Sequence, residues 1–428
     1  MNMSGIKKFV RRFVPRPLLS AYHFCLAMLG ALVYGFPSRK LTVIGITGTD
    51  GKSSTAEYIN AIFETAGYKT AMSNSIRVKI DAHSLPSTGR SMPGRFFIQR
   101  FFRRALQSGC TVAIVEMTSE GVKQYRHRGI ELDALVFTNL SPEHIESHGS
   151  FAAYADAKFE IGRALERSGK RPRIIVANGD DSQGARYLAL RAEKRRAFSL
   201  GKQTPWKADE RGGTFTFEGT EMSVKLGGQF YIKNALAAAE LAHALGIGVD
   251  AIQKGIARVT KIPGRMDRID AGQEFSVIVD YALTPEALEA LYKTFGSAKK
   301  ICVFGCTGGG RDKWKRPVLG KLAGTYCETV IVTNDIAYDE NPKKIADDIA
   351  RDMSTKPEII LDRRAAIRRA LELAQSHTVR KDVAVLITGM GIDTEVSAPD
   401  GAKIPWSDIR VTQEELKRLV AGGAARRV

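Results

Sequence analysis

Residues 45–55 read GITGTDGKSST, a stretch rich in groups that bind phosphate. A strict phosphate loop needs Gly, four residues, then Gly-Lys-Ser/Thr. Counting back from Gly51 puts Ile46 at the first position, so the strict spacing fails. What remains is the shorter run Gly48, Thr49, Asp50, Gly51, Lys52, Ser53 and Ser54, between an apolar strand-like segment and a helical one. At such a junction backbone N–H groups and the helix dipole meet phosphate oxygens. Lys52 would neutralise the terminal phosphates, and Ser53 would reach a magnesium ion. A bland strand-to-helix turn needs the glycines for geometry but has no use for the lysine and paired hydroxyls.

Other residues suit the same chemistry. Glu116 ends the apolar run TVAIVEM (111–117), at the carboxyl rim where open α/β sheets bind ligands and where an acid can hold magnesium. TNLSPEHIESHG (138–149) sets His144 and His148 four apart, with Glu143 and Glu146 nearby. The acid lies midway between the histidines, unlike His-Glu-x-x-His, so a rim histidine beside a nucleotide site is the better reading than a zinc protease. Lys158, in FAAYADAK, reads by itself as a solvated helical lysine.

These groups need a scaffold. A chain of 428 residues implies two domains, and its pattern is α/β: a P-loop-type parallel-sheet ATPase domain followed by a second doubly wound, Rossmann-like domain. LTVIGI (41–46), TVAIVEM, LDALVFTNL (132–140) and RIIVAN (173–178) read as strands, Ser53–Ala66 and 234–247 as helices, and 213–230 as a hairpin. IPGR (262–265) marks a boundary, after which five strand–helix alternations restart. The expected organisation is residues 1–40 as a basic and apolar segment, 41–262 as the ATP-binding domain, and 263–428 as the second domain.

The net charge of +18 calls for anionic partners. Seven basic residues and no acid fall in the first 40 positions, and five arginines lie between Arg90 and Arg104. Basic motifs interleaved with aromatic residues, as in nucleic-acid modules, are lacking, so no nucleic acid partner is expected. Leu18–Phe36 is an apolar run of 19 residues, near bilayer-spanning length. A helix packed on the body or lying on a membrane surface is the expectation, with a cytoplasmic chain that touches the membrane through residues 1–40. The five cysteines form no C-x-x-C pair and read as reduced, buried thiols.

Taken in order, these motifs resemble those of the Mur ligases, most closely the UDP-N-acetylmuramoyl-tripeptide synthetases, over about residues 41–415. GITGTDGKSST resembles the family's short phosphate loop, VEMTSEG its magnesium-binding glutamate motif and FTNLSPEHIESHG its Thr-Asn-Leu…His segment. YADAK ends in the lysine that the family carbamylates. NALAAA, IPGR, DYALTP, FGCTGGGRDKWKRPVLG, VTNDIAYDENP, GMGIDTE and PWSD follow in order.

The resemblance implies an ATP- and Mg²⁺-dependent ligase that joins a free amino acid to a muramyl-peptide-type carboxylate through an acyl phosphate. It implies Lys52, Lys158, His144, Asp312 and Lys315 as catalytic groups. Ser53, Glu116, His144 and Lys158 would be metal ligands. Asn234, Arg265 and Asp280 would join the phosphate loop around the nucleotide, and Asp335, Tyr338, Gly389 and Asp393 would meet the amino acid.

The sequence also departs from the family pattern. About 40 residues precede the first strand, too few for the usual UDP-sugar-binding domain, so the acceptor is expected to be held differently. Asp335-Ile336-Ala337-Tyr338 replaces Asp-Asn-Pro-Arg, which removes the bidentate clamp for a distal carboxylate. Asp50 replaces an Asn, and Leu283 a His. The alternatives are a folylpolyglutamate- or cyanophycin-type ligase, which shares the core, and a non-catalytic, membrane-associated nucleotide-binding protein.

Overall fold

The computed structural model describes residues 15–86, 91–202, 205–398 and 402–425. The first fourteen residues of the basic segment, and Arg90, lie outside the described residues. The chain forms two compact units. One comprises Met1–Leu140, Ala152–Gly201 and Asn234–Gly255, the other Ser141–Phe151, Lys202–Lys233 and Ile256–Val428.

The first unit is built on eight strands: β1 (Thr42–Thr47), β2 (Thr70–Ser73), β3 (Arg77–Ile80), β4 (His83–Pro86), β5 (Val112–Glu116), β6 (Ala134–Phe137), β7 (Ile174–Asn178) and β8 (Lys194–Phe198). Their order is β4-β3-β2-β5-β1-β6-β7-β8. All neighbours pair in parallel except β2–β3 and β3–β4. The central strands are buried on both faces, so they read as unbroken apolar runs, and all four expected strands are present. The short strands β2–β4 and the edge strand β8 carry no such run. β8 reads KRRAF with its first four residues exposed, and its cations discourage further edge pairing.

Three helices matter here: α1 (Arg16–Val33), α2 (Lys52–Thr65) and α3 (Arg95–Gln107). α1 packs on α3 through small residues. Ala27 and Ala31 are buried, and a Cβ on Gly30 would lie 3.5 Å from the Arg95 carbonyl oxygen. The α1 side chains also reach Tyr125, through a 2.7 Å Ser20–Tyr125 hydroxyl contact and an edge-on Phe24 ring. Among the described residues no helix is long and apolar enough to cross a membrane.

The second unit holds an antiparallel sheet of β9 (Trp206–Ala208), β10 (Gly213–Phe217) and β11 (Thr220–Val224), which includes the expected hairpin. Its main sheet has the order β12-β13-β17-β14-β15-β16, from β12 (Asp267–Arg268), β13 (Ser276–Asp280), β14 (Lys299–Phe304), β15 (Thr329–Val332), β16 (Glu358–Ile359) and β17 (Val383–Thr388). Only the two-residue β12 runs antiparallel; the other five are the five alternations of the sequence. The helices that follow β13, β15 and β16 each start on a side-chain cap, from Thr284, Asn341 and Asp362, which satisfies an orphan N–H of the first turn.

The expectation of reduced, buried thiols fails in two places. Cys25 is exposed on α1. Cys302 and Cys327 form a disulfide rather than two reduced thiols. The fold brings β14 beside the end of helix Lys315–Tyr326, so the two Cα atoms lie 6.3 Å apart, a proximity that their 25-residue separation does not reveal.

Deep in this unit Arg363 makes a bidentate pair with Asp408, at 2.7 Å to each carboxylate oxygen, and donates to the carbonyl oxygens of Asn334 and Thr388. Both side chains are essentially inaccessible. Removing one partner leaves an uncompensated buried charge, so Arg363→Ala is expected to cost about 3–5 kcal/mol. Urea unfolding monitored by circular dichroism measures this directly, and a cost under about 1 kcal/mol would contradict it.

Candidate active site

β1 ends at Thr47, and the chain turns through residues 48–51 into α2. Two glycines are required there. Gly48 has φ +150°, and a Cβ would stand 1.9 Å from Thr138 Oγ1. Gly51 has φ +80°, and a Cβ would stand 2.4 Å from Asn234 Oδ1. Thr138 and Asn139, just beyond β6, brace the turn. Thr138 Oγ1 (2.7 Å) and Asn139 Nδ2 (3.1 Å) both donate to the Asp50 carbonyl oxygen. The Asp50 N–H donates to Asn139 Oδ1 (2.9 Å), and the Thr49 N–H donates to the Asn139 carbonyl (2.9 Å). Lys52 Nζ folds back onto the carbonyl oxygens of Gly48 (3.1 Å) and Thr49 (2.7 Å).

Ser53 Oγ lies 2.7 Å from Ser75 Oγ, and the Ser75 N–H donates to Glu116 Oε1 at 3.3 Å. Glu116 is 1% exposed, and its Oε2 is buried with no hydrogen-bond partner among the described residues. A buried, unmet carboxylate oxygen is costly unless a cation answers it. Two hydroxyls and a carboxylate are hard oxygen ligands, so this set fits magnesium. Lys158, on helix Phe151–Glu166, is buried; its Nζ donates to the Gly48 carbonyl and lies 4.9 Å from the Tyr154 ring centre. Ser54 is buried at the start of α2. Asn234 lies under Gly51, in the second turn of a helix that starts at Gln229 rather than at Asn234.

In the second unit Glu143, His144 and Asp312 offer ligand atoms that lie within 4.8 Å of one another. The metal ligands expected from the sequence are therefore divided: Ser53, Glu116 and Lys158 belong to the first unit and His144 to the second. His144 takes φ +56°, which turns its own N–H and that of Ile145 onto Asp312 (2.7 and 2.9 Å). Glu146 in turn accepts from the Asp312 and Lys313 N–H groups. Burial works to raise Asp312, but its bond with Glu146, the two N–H groups and Lys315 more than offset this, and its acidity is strengthened. Burial and the adjacent Asp312 push Glu146 up. Lys315 is buried, which favours loss of its proton, yet Glu143 at 2.9 Å holds its pKa above the usual lysine value.

Arg265 stacks over Tyr281, 4.6 Å from the ring centre, with its Nε buried and without a hydrogen-bond partner among the described residues. Asp280 Oδ2 accepts from the Met266 N–H at 2.7 Å. Asp335 is buried, with Oδ2 unpartnered among the described residues; Gly389 stands close enough that a Cβ there would lie 3.3 Å from that oxygen. Burial pushes Asp335 up, and Arg363 pulls only partly against it. Burial, then Asp335 and Asp408, push Asp393 up to about 7. Tyr338 is exposed, with Arg311 and Lys403 over its ring.

Reading the sequence did not single out Ser75, Tyr154 or Arg363. Ser75 follows β2, a strand too short to read. Tyr154 is visible in YADAK, but its 3.1 Å contact with Thr49 Oγ1 spans 105 residues of chain.

A largely parallel α/β unit with a braced glycine-lysine loop, joined to a second doubly wound unit, is a two-unit layout that many activities share. The profile of the Mur ligase middle domain matches residues 46–242, and that of the Mur ligase glutamate ligase domain matches residues 264–391. A UDP-N-acetylmuramoyl-L-alanyl-D-glutamate–2,6-diaminopimelate ligase of Syntrophomonas wolfei is 33% identical over 411 residues, covering 92% of this chain and 82% of its own. The Aquifex aeolicus protein of the same name is 34% identical over 397 residues, 90% and 79% of the two chains. A solved structure bearing that ligase name superposes with TM-score 0.60 at 26% identity, over 89% of this chain and 79% of its own. The folylpolyglutamate synthase of Mycobacterium tuberculosis, at 18% identity and TM-score 0.69 over 86% and 93%, shares the fold. The chain belongs to the Mur ligase family, and it is an ATP-dependent ligase that forms carbon–nitrogen bonds.

Two outcomes follow from this geometry. Gly48→Ala forces a methyl group into Thr138, so ATP affinity is expected to fall by about tenfold or more, measured by titration calorimetry. Asp393 has a higher pKa folded than unfolded, so folding takes up protons and stability declines as pH rises from about 4 towards 7. Asp393→Asn removes that decline. It is expected to stabilise the protein by on the order of 2 kcal/mol at about pH 8, with the gain vanishing below about pH 4, in urea titrations across pH.

Proposed function

We propose that this ligase adds a free amino acid to the carboxylate of a muramyl-peptide-type acceptor, through an acyl phosphate made from ATP, in peptidoglycan precursor synthesis. The observation that carries the reading is the braced 48–54 loop beside Glu116, whose Oε1 is linked to Ser53 through Ser75 and whose Oε2 is unmet among the described residues. Acceptor carboxylate and phosphate chain repel each other, so the reaction needs cations gathered around both. Lys52 supplies one. Ser53 and Glu116 would hold Mg²⁺, which when bound polarises phosphoryl oxygens. Carboxylation of Lys158 by CO₂ would turn a buried cation into an anionic ligand. In the second unit Asp312, fixed by the His144 and Ile145 N–H groups, and Lys315 are the further polar groups proposed for catalysis. The nucleotide supply places the work in the cytoplasm, and residues 1–40 are read as a peripheral membrane contact.

The relatives are named for diaminopimelate. Here Tyr338 stands where a clamp arginine is expected, while Asp335 and Asp393 present two carboxylates whose pKa values stay raised despite the charges of Arg363, Lys315 and Arg265. The neighbouring Arg363 is committed to Asp408. Such a pair of acids favours an amino acid whose side chain ends in an ammonium group, such as lysine or ornithine, over one ending in a carboxylate.

The test is phosphate release from ATP and Mg²⁺ with UDP-linked and lipid-linked muramyl-dipeptide acceptors, against lysine, ornithine, diaminopimelate and alanine. Release that requires one acceptor and a diamino acid, and that drops at least about a hundredfold in Lys158→Ala, is the expected result. Asp393→Asn is expected to raise KM for the diamino acid about tenfold with little change in kcat, and wild-type KM is expected to rise as pH falls below about 7. Turnover independent of both substrates, or none with any pairing, would leave the nucleotide-binding alternative standing.

A further inference from the structure

We propose that the outer faces of α1 and α3 form a docking surface for an anionic lipid bilayer, which α1 enters edge-on without crossing. This names the partner for the peripheral contact read above. It does not depend on which substrates the enzyme joins.

The first observation is a solvent-facing apolar stripe. Leu18, Tyr22, Cys25, Leu29 and Leu32 recur at spacings of four, three, four and three along α1, and all are exposed. Val33 beside them is 62% exposed and Leu32 64%. Six of the thirteen exposed large apolar side chains among the described residues lie on this one helix. Packing onto the body is already satisfied by the opposite face, through His23, Ala27, Gly30 and Ala31. A helix of this kind, too short in apolar content to span, fits the plane of the interface.

The second observation is charge. No Asp or Glu occurs before Asp50, and none between Asp81 and Glu116, while residues 1–40 and 90–104 carry seven and five Lys or Arg. α1 and α3 belong to these acid-free stretches and pack on each other where Gly30 meets Arg95 and Phe96. The outer face of α3 presents Phe96, Arg100, Arg103 and Arg104, all exposed. The same Arg100 and Arg104, with Phe97 and Phe101, line a 470 Å³ cavity against Val78, Ile80 and Leu85. Arginines beside an apolar stripe place guanidinium groups at headgroup level while their stems lie along the hydrocarbon boundary.

Charge also chooses among occupants. A second copy of the chain would set two acid-free basic faces against each other, and a nucleic acid has no apolar phase to receive the leucine stripe. A bilayer with anionic headgroups answers both features.

Cys25 supplies the readout. It is exposed within the stripe, whereas Cys110 and Cys306 are buried and Cys302–Cys327 is a disulfide. The full chain, labelled at Cys25 with a polarity-sensitive fluorophore, is mixed with vesicles of phosphatidylcholine alone or of phosphatidylcholine and phosphatidylglycerol in equal parts. Sedimentation with the anionic vesicles and a blue shift of the probe are expected, both weakened by salt. Each basic residue at such a surface contributes about fivefold to partitioning. Arg100→Glu with Arg103→Glu is therefore expected to lower it by about twenty-fivefold or more. Leu29→Ser with Leu32→Ser is expected to lower it by about tenfold or more. ATP hydrolysis and the melting temperature should stay unchanged, since all four side chains are exposed. The proposal is overturned if the wild type stays in solution with anionic vesicles, if both double variants bind as well as it does, or if the probe shifts without lipid as the chain dimerises. Ligation of a soluble acceptor is scored separately, so failure of the lipid assay leaves the ligase reading intact.

Discussion

The 48–54 loop depends on what happens to three carbonyl oxygens. A turn that offers N–H groups to an anion must point its carbonyl dipoles elsewhere, and those dipoles need donors. Here the Gly48 carbonyl meets Lys52 and Lys158, the Thr49 carbonyl meets Lys52, and the Asp50 carbonyl meets Thr138 and Asn139. The negative ends of the turn are thus covered before any phosphate arrives. Gly48 is obligatory because Thr138 comes so close in making this clamp.

The same bookkeeping of charge governs the second unit, with the opposite outcome. Arg363 is spent on Asp408 in a closed, bidentate pair that holds the end of the sheet together. Burial leaves Asp335 hard to ionise, and Asp335 in turn, with burial, raises the half-buried Asp393. Arg363 makes its carboxylate hydrogen bonds to Asp408 and acts on Asp335 and Asp393 only through its charge.

Arg95, Arg100, Arg103 and Arg104 cluster on α3 of the first unit, in a stretch without an acid. α1 and α3 come from separate acid-free stretches, and small residues let them pack closely, so their exposed faces combine. The 48–54 loop also gathers cations, but around backbone carbonyl groups; on α3 Arg100, Arg103 and Arg104 stand in solvent.

What the sequence by itself determined was local. Apolar runs marked the strands because a parallel sheet covered on both faces needs them. Glycine, lysine and hydroxyl at a strand–helix junction marked the loop because phosphate binding needs those groups in that order. Glu116 was visible because strand ends define the rim of such a sheet. The tertiary structure decided what depends on pairs distant in the chain. It placed Ser75 between Ser53 and Glu116, Tyr154 against Thr49, and Asp312 under the N–H groups of His144 and Ile145. It joined Cys302 to Cys327, where the sequence reads as two separate thiols. It also turned one face of the apolar segment 18–36 inward and left the other in solvent, because α3 offers a single groove and a helix has two sides.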